Sequence, residues 1–276
     1  MNKKYKFYLV LVISLVLLGA TVNFVYARLA VSPLTLKMEI PPGESSSANL
    51  SIHNTGQEEV SVNIQLVDWW RTRQGNLQLL APGTRERSCT DWTLYSTEGL
   101  TMAPGEKKQV SVEVEVPEGE AGDHWAMLLV TEQPKETDED QPVTTRITVN
   151  YAIKILQQDP TAKEKGAKIT GIKVTQKDPL RFEVEYKNTG ITHLQTTGRL
   201  EIRNLQGETI REYEISKFPT LPGEEHVFTV TNSEVNDQLN PGSYYAIVVM
   251  DFGGDHLIQG GMPIEISDRN GGSEEG

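Results

Sequence analysis

The sequence has 276 residues and a formal net charge of −12, with 38 acidic side chains against 26 Lys and Arg. Nucleic acids and anionic membrane surfaces select clusters of Lys and Arg, and none follows Lys6, so this balance excludes both as partners. A single cysteine, Cys89, excludes an internal disulfide framework, so each core must supply its own stability.

Lys3, Lys4 and Lys6 precede an apolar run at 7–18, and Val25-Tyr26-Ala27 places small residues where a signal peptidase reads them. The run is shorter than the roughly 18 to 20 residues that span a bilayer. Residues 1–27 therefore read as an export signal cleaved before Arg28, leaving no stable membrane span and an extracytoplasmic protein, in the periplasm or at the cell surface. Without a cysteine the segment does not fit a lipoprotein signal.

Along the mature chain, 29–40 is rich in β-forming apolar residues and is broken by Pro33 into an edge-type strand. Pro41-Pro42-Gly43-Glu44 turns the chain, and 48–54 and 60–70 are the next strands, the second with Val60, Val62, Ile64 and Leu66 on one face. A short strand at 77–80, a charged loop at 82–88 and a strand at 92–95 follow. Residues 102–105 reverse the chain into the strict alternation of 110–116, the period of a half-buried strand. The nearly continuous apolar run 125–131 has the pattern of a central strand. The polar, acidic stretch 133–142 reads as a solvated loop, and 144–156 is the longest alternating strand. There Ile147, Val149, Tyr151, Ile153 and Ile155 share one face.

Residues 158–166 are polar, contain Pro160 and read as a linker. Strands are then expected at 168–174, 180–187, 193–203, 209–215, 225–231, 244–252 and 256–266. The Gly, Glu and Ser tail 267–276 reads as disordered. The two halves share a pattern. Leu50-Ser51-Ile52-His53 runs into Asn54-Thr55-Gly56, and Pro104-Gly105-Glu106 opens a later strand. Phe182-Glu183-Val184-Glu185-Tyr186 runs toward Asn188-Thr189-Gly190, and Pro222-Gly223-Glu224 opens another. The fold class is all-β: two tandem immunoglobulin-like or fibronectin-like β-sandwiches, 28–157 and 167–266.

No constellation carries catalytic chemistry. The five histidines stand apart without ligand-like partners at metal spacing, and Asp138-Glu139-Asp140 lacks the fixed spacing of a calcium loop. Cys89 reads as a small half-buried residue near Trp92. The glycines never form a phosphate-cradling loop, so no enzyme, cofactor or metal is expected. Adjacent strand residues point to opposite faces, so one of Trp69 and Trp70 is expected to be exposed. It either contacts a sugar or protein partner or is covered by the charged loop.

Val31-Ser32-Pro33, Pro42-Gly43-Glu44, residues 50–56, Met102-Ala103-Pro104-Gly105-Glu106, the 110–116 alternation and Ile153-Lys154-Ile155 carry a resemblance. Over 29–157 the chain resembles the N-terminal domain of periplasmic pilus-assembly chaperones, and it is also similar to WxL-interacting cell-surface proteins. For 166–266 the likeness rests on strand order, Asn188-Thr189-Gly190 and Pro241-Gly242-Ser243-Tyr244. The resemblance to pilus chaperones implies pilus assembly by β-strand addition, with Ile147, Val149, Tyr151 and Ile153 as the client-binding strand. The same alternation also fits side chains that fill the protein's own core. The resemblance further implies two basic residues anchoring a client's terminal carboxylate. Lys37 and Lys154 are the candidates, Lys154 lying two residues beyond the aligned position, where Ala152 stands. The implied partner is a secreted or envelope protein. The alternative is an envelope structural or adhesion module binding a wall polymer or surface protein through Trp69 or Trp70.

Overall fold

The computed structural model describes residues 28–133, 149–177, 179–231 and 239–267. The expected export signal, Ile147 with the acidic run before it, and the expected tail from 268 onward lie outside the described residues.

In the first half the strands are β1 (Leu29–Ser32), β2 (Thr35–Glu39), β3 (Ser45–Asn54), β4 (Val60–Arg71), β5 (Leu77–Leu80), β6 (Thr93–Tyr95), β7 (Gly99–Met102), β8 (Lys107–Glu115), β9 (His124–Glu132) and β10 (Asn150–Gln158). One 3₁₀ turn, Thr90–Trp92, precedes β6. The second half contains β11 (Ala167–Lys177), β12 (Leu180–Asn188), β13 (Leu194–Arg203), β14 (Thr209–Thr220), β15 (Glu225–Thr231), β16 (Gly242–Asp251) and β17 (Ile258–Ile266). Each half packs two sheets face to face. They run β1-β3-β8-β6 against β2-β10-β9-β4-β5, with β7 also on β4, and then β11-β12-β15 against β14-β13-β16-β17. These are two immunoglobulin-like sandwiches, as the alternation and turn spacing predict.

Pro33 does more than weaken an edge. The peptide before it is cis, and the chain changes sheet there: β1 pairs antiparallel with β3, while β2 pairs in parallel with β10. The strand expected at 29–40 is thus two strands on opposite walls of one core. That core buries Leu36, Met38, Leu50, Ile52, Val110, Val112, Val114, Ile153 and Ile155 among others. A second core gathers Phe182, Val184, Tyr186, Leu200, Ile202, Val248 and Met250. A third apolar cluster joins Trp69, Trp125, Met127 and Leu129 of the first half to Leu221 of the second. The continuous apolar run of β9 follows from this, since Ala126, Leu128 and Val130 face the first core while Trp125, Met127 and Leu129 face the third cluster. A strand buried on both faces has no polar positions to alternate with.

The repeated Asn-Thr-Gly and Pro-Gly-Glu motifs make the same backbone staple in both halves. The Asn54 amide donates to the carbonyls of Met102 and Ala103, at 3.1 and 3.0 Å, and Gly105 N–H donates to Asn54 O at 2.9 Å. The Asn188 amide donates to the carbonyls of Thr192 and Thr220, at 2.9 and 3.3 Å, and Gly223 N–H donates to Asn188 O at 3.1 Å. Each motif glutamate accepts the N–H three residues earlier: Glu106 from Ala103 and Glu224 from Leu221, both at 2.8 Å. Gly105 and Gly223 hold φ of 75° and 78°, the left-handed conformation that makes glycine the residue of choice there.

The segment between β10 and β11 is tied to both halves by hydrogen bonds. Gln157 stays in β10 because its Oε1 accepts the His124 N–H at 2.9 Å and its Nε2 donates to Ile40 O at 2.8 Å. Asp159 accepts the Gly122 N–H at 2.9 Å, and Ile191 N–H donates to Glu164 O at 3.3 Å. Thr189 and Gly190 N–H both donate to Gly166 O.

Candidate functional site

Among the described residues, only the second half of β10 is paired on its outer side. β2 pairs with it from Lys154, opposite Thr35, to Gln158, opposite Glu39, and Lys154 N–H donates to Leu34 O at 3.1 Å. The N–H and C=O of one strand residue point the same way, and the direction alternates along the strand. Those of Asn150 and Ala152 therefore point to the same side as those of Lys154, and among the described residues no strand pairs with them there. The other side of the strand is satisfied by β9, with Asn150 opposite Thr131 through Gln157 opposite His124.

The side chains of β10 divide by face. Ile153 and Ile155 are wholly buried in the first core and Tyr151 packs against it, its hydroxyl donating to Leu29 O. The Ile153 side chain lies wholly within the protein's own core, and its backbone groups face β9. Val149 is half-buried. Lys154 and Ala152 point to the opposite face, toward the third cluster. Lys37 is exposed on β2, opposite Leu156, and shares this outer face with Lys154, two register positions away.

Neither tryptophan of the pair stands open. Trp69 is 2 % exposed, and its indole N–H donates to Ala126 O at 3.1 Å. The Lys154 ammonium lies 5.2 Å from the Trp69 ring centroid. Trp70 is half-buried, stacked on Trp125 at 5.8 Å and capped by the Arg85 guanidinium at 3.9 Å. Of the two alternatives for this pair, covering by the charged loop is the one seen at Trp70, under Arg85, while Trp69 is enclosed in the cluster with Leu221 of the second sandwich. Asp68 fastens that loop, accepting from Arg85 N–H at 2.8 Å and from the Ser88 hydroxyl at 2.5 Å. Cys89 is fully buried in the first core, which pushes its thiol up to about 12.

Between the sandwiches lies a polar seam that residue spacing did not reveal. Arg71, at the end of β4, donates through Nη2 to Glu224 Oε2 at 2.7 Å and to Pro219 O at 3.1 Å. Arg73 accepts Val227 N–H on its carbonyl at 2.8 Å and pairs with Glu185 at 2.7 Å and Glu225 at 3.4 Å. At another point of the seam, Asp123 Oδ2 accepts from the His193 backbone N–H at 2.6 Å and from its Nδ1–H at 2.7 Å. Asp123 N–H donates to Ile191 O at 2.8 Å, and Asp123 Oδ1 accepts from Asp159 N–H at 2.9 Å. Glu224 is 0 % exposed, and its burial raises its carboxyl above the ordinary glutamate range despite Arg71 and the Leu221 N–H. Burial, then the charge of Arg71, lowers the ammonium of Lys154, and Glu224 offsets part of this. The repeated Pro-Gly-Glu was the one sequence signal touching this seam, and it marked a turn.

No protein-family model and no curated protein matches the chain. Among solved structures, the chain is similar to one from a chaperone–tip adhesin complex of CFA/I fimbriae biogenesis, with TM-score 0.48 and 10% identity over 87% of this chain and 98% of that one. It is also similar to one from the CsuC–CsuE chaperone–tip adhesion subunit pre-assembly complex of Acinetobacter baumannii, with TM-score 0.45 and 14% identity over 87% and 99%. The E. coli chaperone DraB gives TM-score 0.42 and 10% identity over 84% and 95%.

Proposed function

We propose that this chain is an exported, non-catalytic, chaperone-like binding protein that holds a secreted client by strand addition along the uncovered half of β10. The observation that carries this reading is the open edge at Asn150 and Ala152. It is backed by a two-sided core and ends where β2 takes over at Lys154. Main-chain donors and acceptors on such an edge supply affinity, and alternate side chains supply specificity. Val149 is half-buried, and the alternation that includes Ile147 and Val149 is what we assign to the client. Tyr151 and Ile153 hold the edge in place from within. Lys154, half-buried at the inner end of the edge, and Lys37 on the same face are the basic groups within reach of a client's terminal carboxylate.

The test is the double variant Ile147→Thr/Val149→Thr, compared with wild type for denaturation midpoint and for capture of secreted proteins from an envelope extract of the source cell. Unchanged stability with lost capture supports the reading. A large fall in midpoint assigns both side chains to the protein's own core, and retained capture at full stability removes them from the binding strand.

A further inference from the structure

Glu224 combines three features at one place. It lies on the β14–β15 turn of the second sandwich, it reaches across the seam to Arg71 of the first, and it is wholly excluded from water. Its oxygens are unequally served. Oε2 accepts from Arg71 and from Leu221 N–H, while Oε1 is buried without a hydrogen-bond partner among the described residues. Arg71 Nε and His193 Nε2 are buried and unpartnered in the same sense. An ionised carboxylate with one oxygen stripped of donors is disfavoured relative to its neutral form, and hydration removes the difference. Separation of the sandwiches at this seam would provide that hydration.

We propose that the seam between the two sandwiches is a proton-linked latch, in which the closed arrangement binds a proton at Glu224 more tightly than the opened one. Glu106, the corresponding glutamate of the first half, makes the same turn contact, yet its side chain is 39 % exposed and meets no opposing sandwich. The latch is therefore a property of the junction and not of the turn. It operates whether or not β10 receives a client.

The sign follows from burial. Desolvation raises the Glu224 carboxyl, and the Arg71 charge, the Leu221 N–H and the more distant His193 lower it only in part. A raised carboxyl contributes to closure fully below the ordinary glutamate range, and this contribution is lost as pH rises through the raised value. Each pKa unit of the shift is worth a factor of ten in the opening equilibrium. Of two other shifted groups at the seam, His226 acts in the opposite sense, since Arg71 reaches it from the other sandwich, while Lys154 shares a sandwich with Arg71 and is raised by Glu224 across the seam. Burial and Arg71 lower His226, and burial and Arg71 lower Lys154, against the attraction of Glu224. The Glu224 contribution is consequently read as a difference between wild type and Glu224→Gln.

Nitroxide labels at Glu115→Cys and Gln259→Cys, both exposed and one on each sandwich, report opening of the full chain at sub-denaturing urea. The wholly buried Cys89 thiol stays out of reach of the label. From pH 5 to pH 8, the opening constant of wild type relative to Glu224→Gln should climb by up to about tenfold per unit of raised pKa. A ratio that stays flat or falls with pH overturns the latch, as does a seam that remains closed throughout. A carbon-13 titration of the glutamate carboxyls in the wild-type chain gives a second reading that needs no substitution. One carboxyl titrating above the ordinary glutamate range is expected, and its absence overturns the proposal.

Discussion

Removing Arg71 should damage this protein far more than neutralising the glutamate it pairs with. Glu224 is 0 % exposed, while the Arg71 side chain keeps 19% of its surface in solvent, so the two partners are not equivalent when left alone. Arg71→Met strands a buried carboxylate and removes the Nη2 donors to Glu224 and Pro219 O. The loss of one partner of a buried pair costs about 3–5 kcal/mol at pH 8. Glu224→Gln retains an oxygen for the Leu221 N–H and leaves Arg71 partly hydrated, so its cost is about 1 kcal/mol. In the double variant no charge is stranded, and its cost falls below the sum of the single costs by about 2 kcal/mol. As pH falls from 8 through the window between the orphaned carboxyl and the wild-type Glu224 carboxyl, the Arg71→Met cost should shrink by up to about 1.4 kcal/mol per pH unit, because the orphaned carboxyl protonates first. Guanidinium denaturation of the four proteins, followed by the fluorescence of the tryptophans at the seam, measures each term. Equal costs for the two single variants, or strict additivity in the double, would refute the assignment of Glu224 as a desolvated charge.

Gly122→Ala should destabilise the seam by about 1–3 kcal/mol, seen as a lower thermal midpoint, because φ is +84° and an added Cβ would meet Ile191 O at 2.5 Å; an unchanged midpoint would contradict the close approach. Cys89 should resist a maleimide at pH 8 until the chain unfolds, since burial holds its thiol near 12, and labelling faster than global unfolding would count against that burial. Ile153→Thr should cost about 2–4 kcal/mol in chemical denaturation against under about 1 for Val149→Thr, and a reversed order would mean that the Val149 end of this face, not Ile153, carries the packing.

Much of the fold is legible in the amino-acid order because its signals are local. Alternation in 110–116 and 180–187 gives one inward and one outward face, and Asn54-Thr55-Gly56 and Asn188-Thr189-Gly190 carry the side-chain amides and small residues that their staples require. The duplication is legible for the same reason, since each copy satisfies its own backbone within a short span of chain. Burial at the junction is not legible, because it depends on which surface arrives from elsewhere. Glu106 and Glu224 occupy the same turn, yet only Glu224 meets an arginine from another sandwich and loses its water. Trp69 and Trp70 are adjacent in β4, yet both pack on the third cluster, which Leu221 of the second sandwich completes, and Arg85 covers Trp70. On β10, alternation admitted Ile153 equally to a client and to the core, and packing alone assigned it inward. The sequence by itself determined most of the strands and turns and the two sandwiches, but not the strand Gly99–Met102 or the third apolar cluster, since backbone geometry and side-chain period act within a few residues. Only the tertiary structure decided which polar groups are desolvated, because desolvation is set by surfaces far apart in the chain.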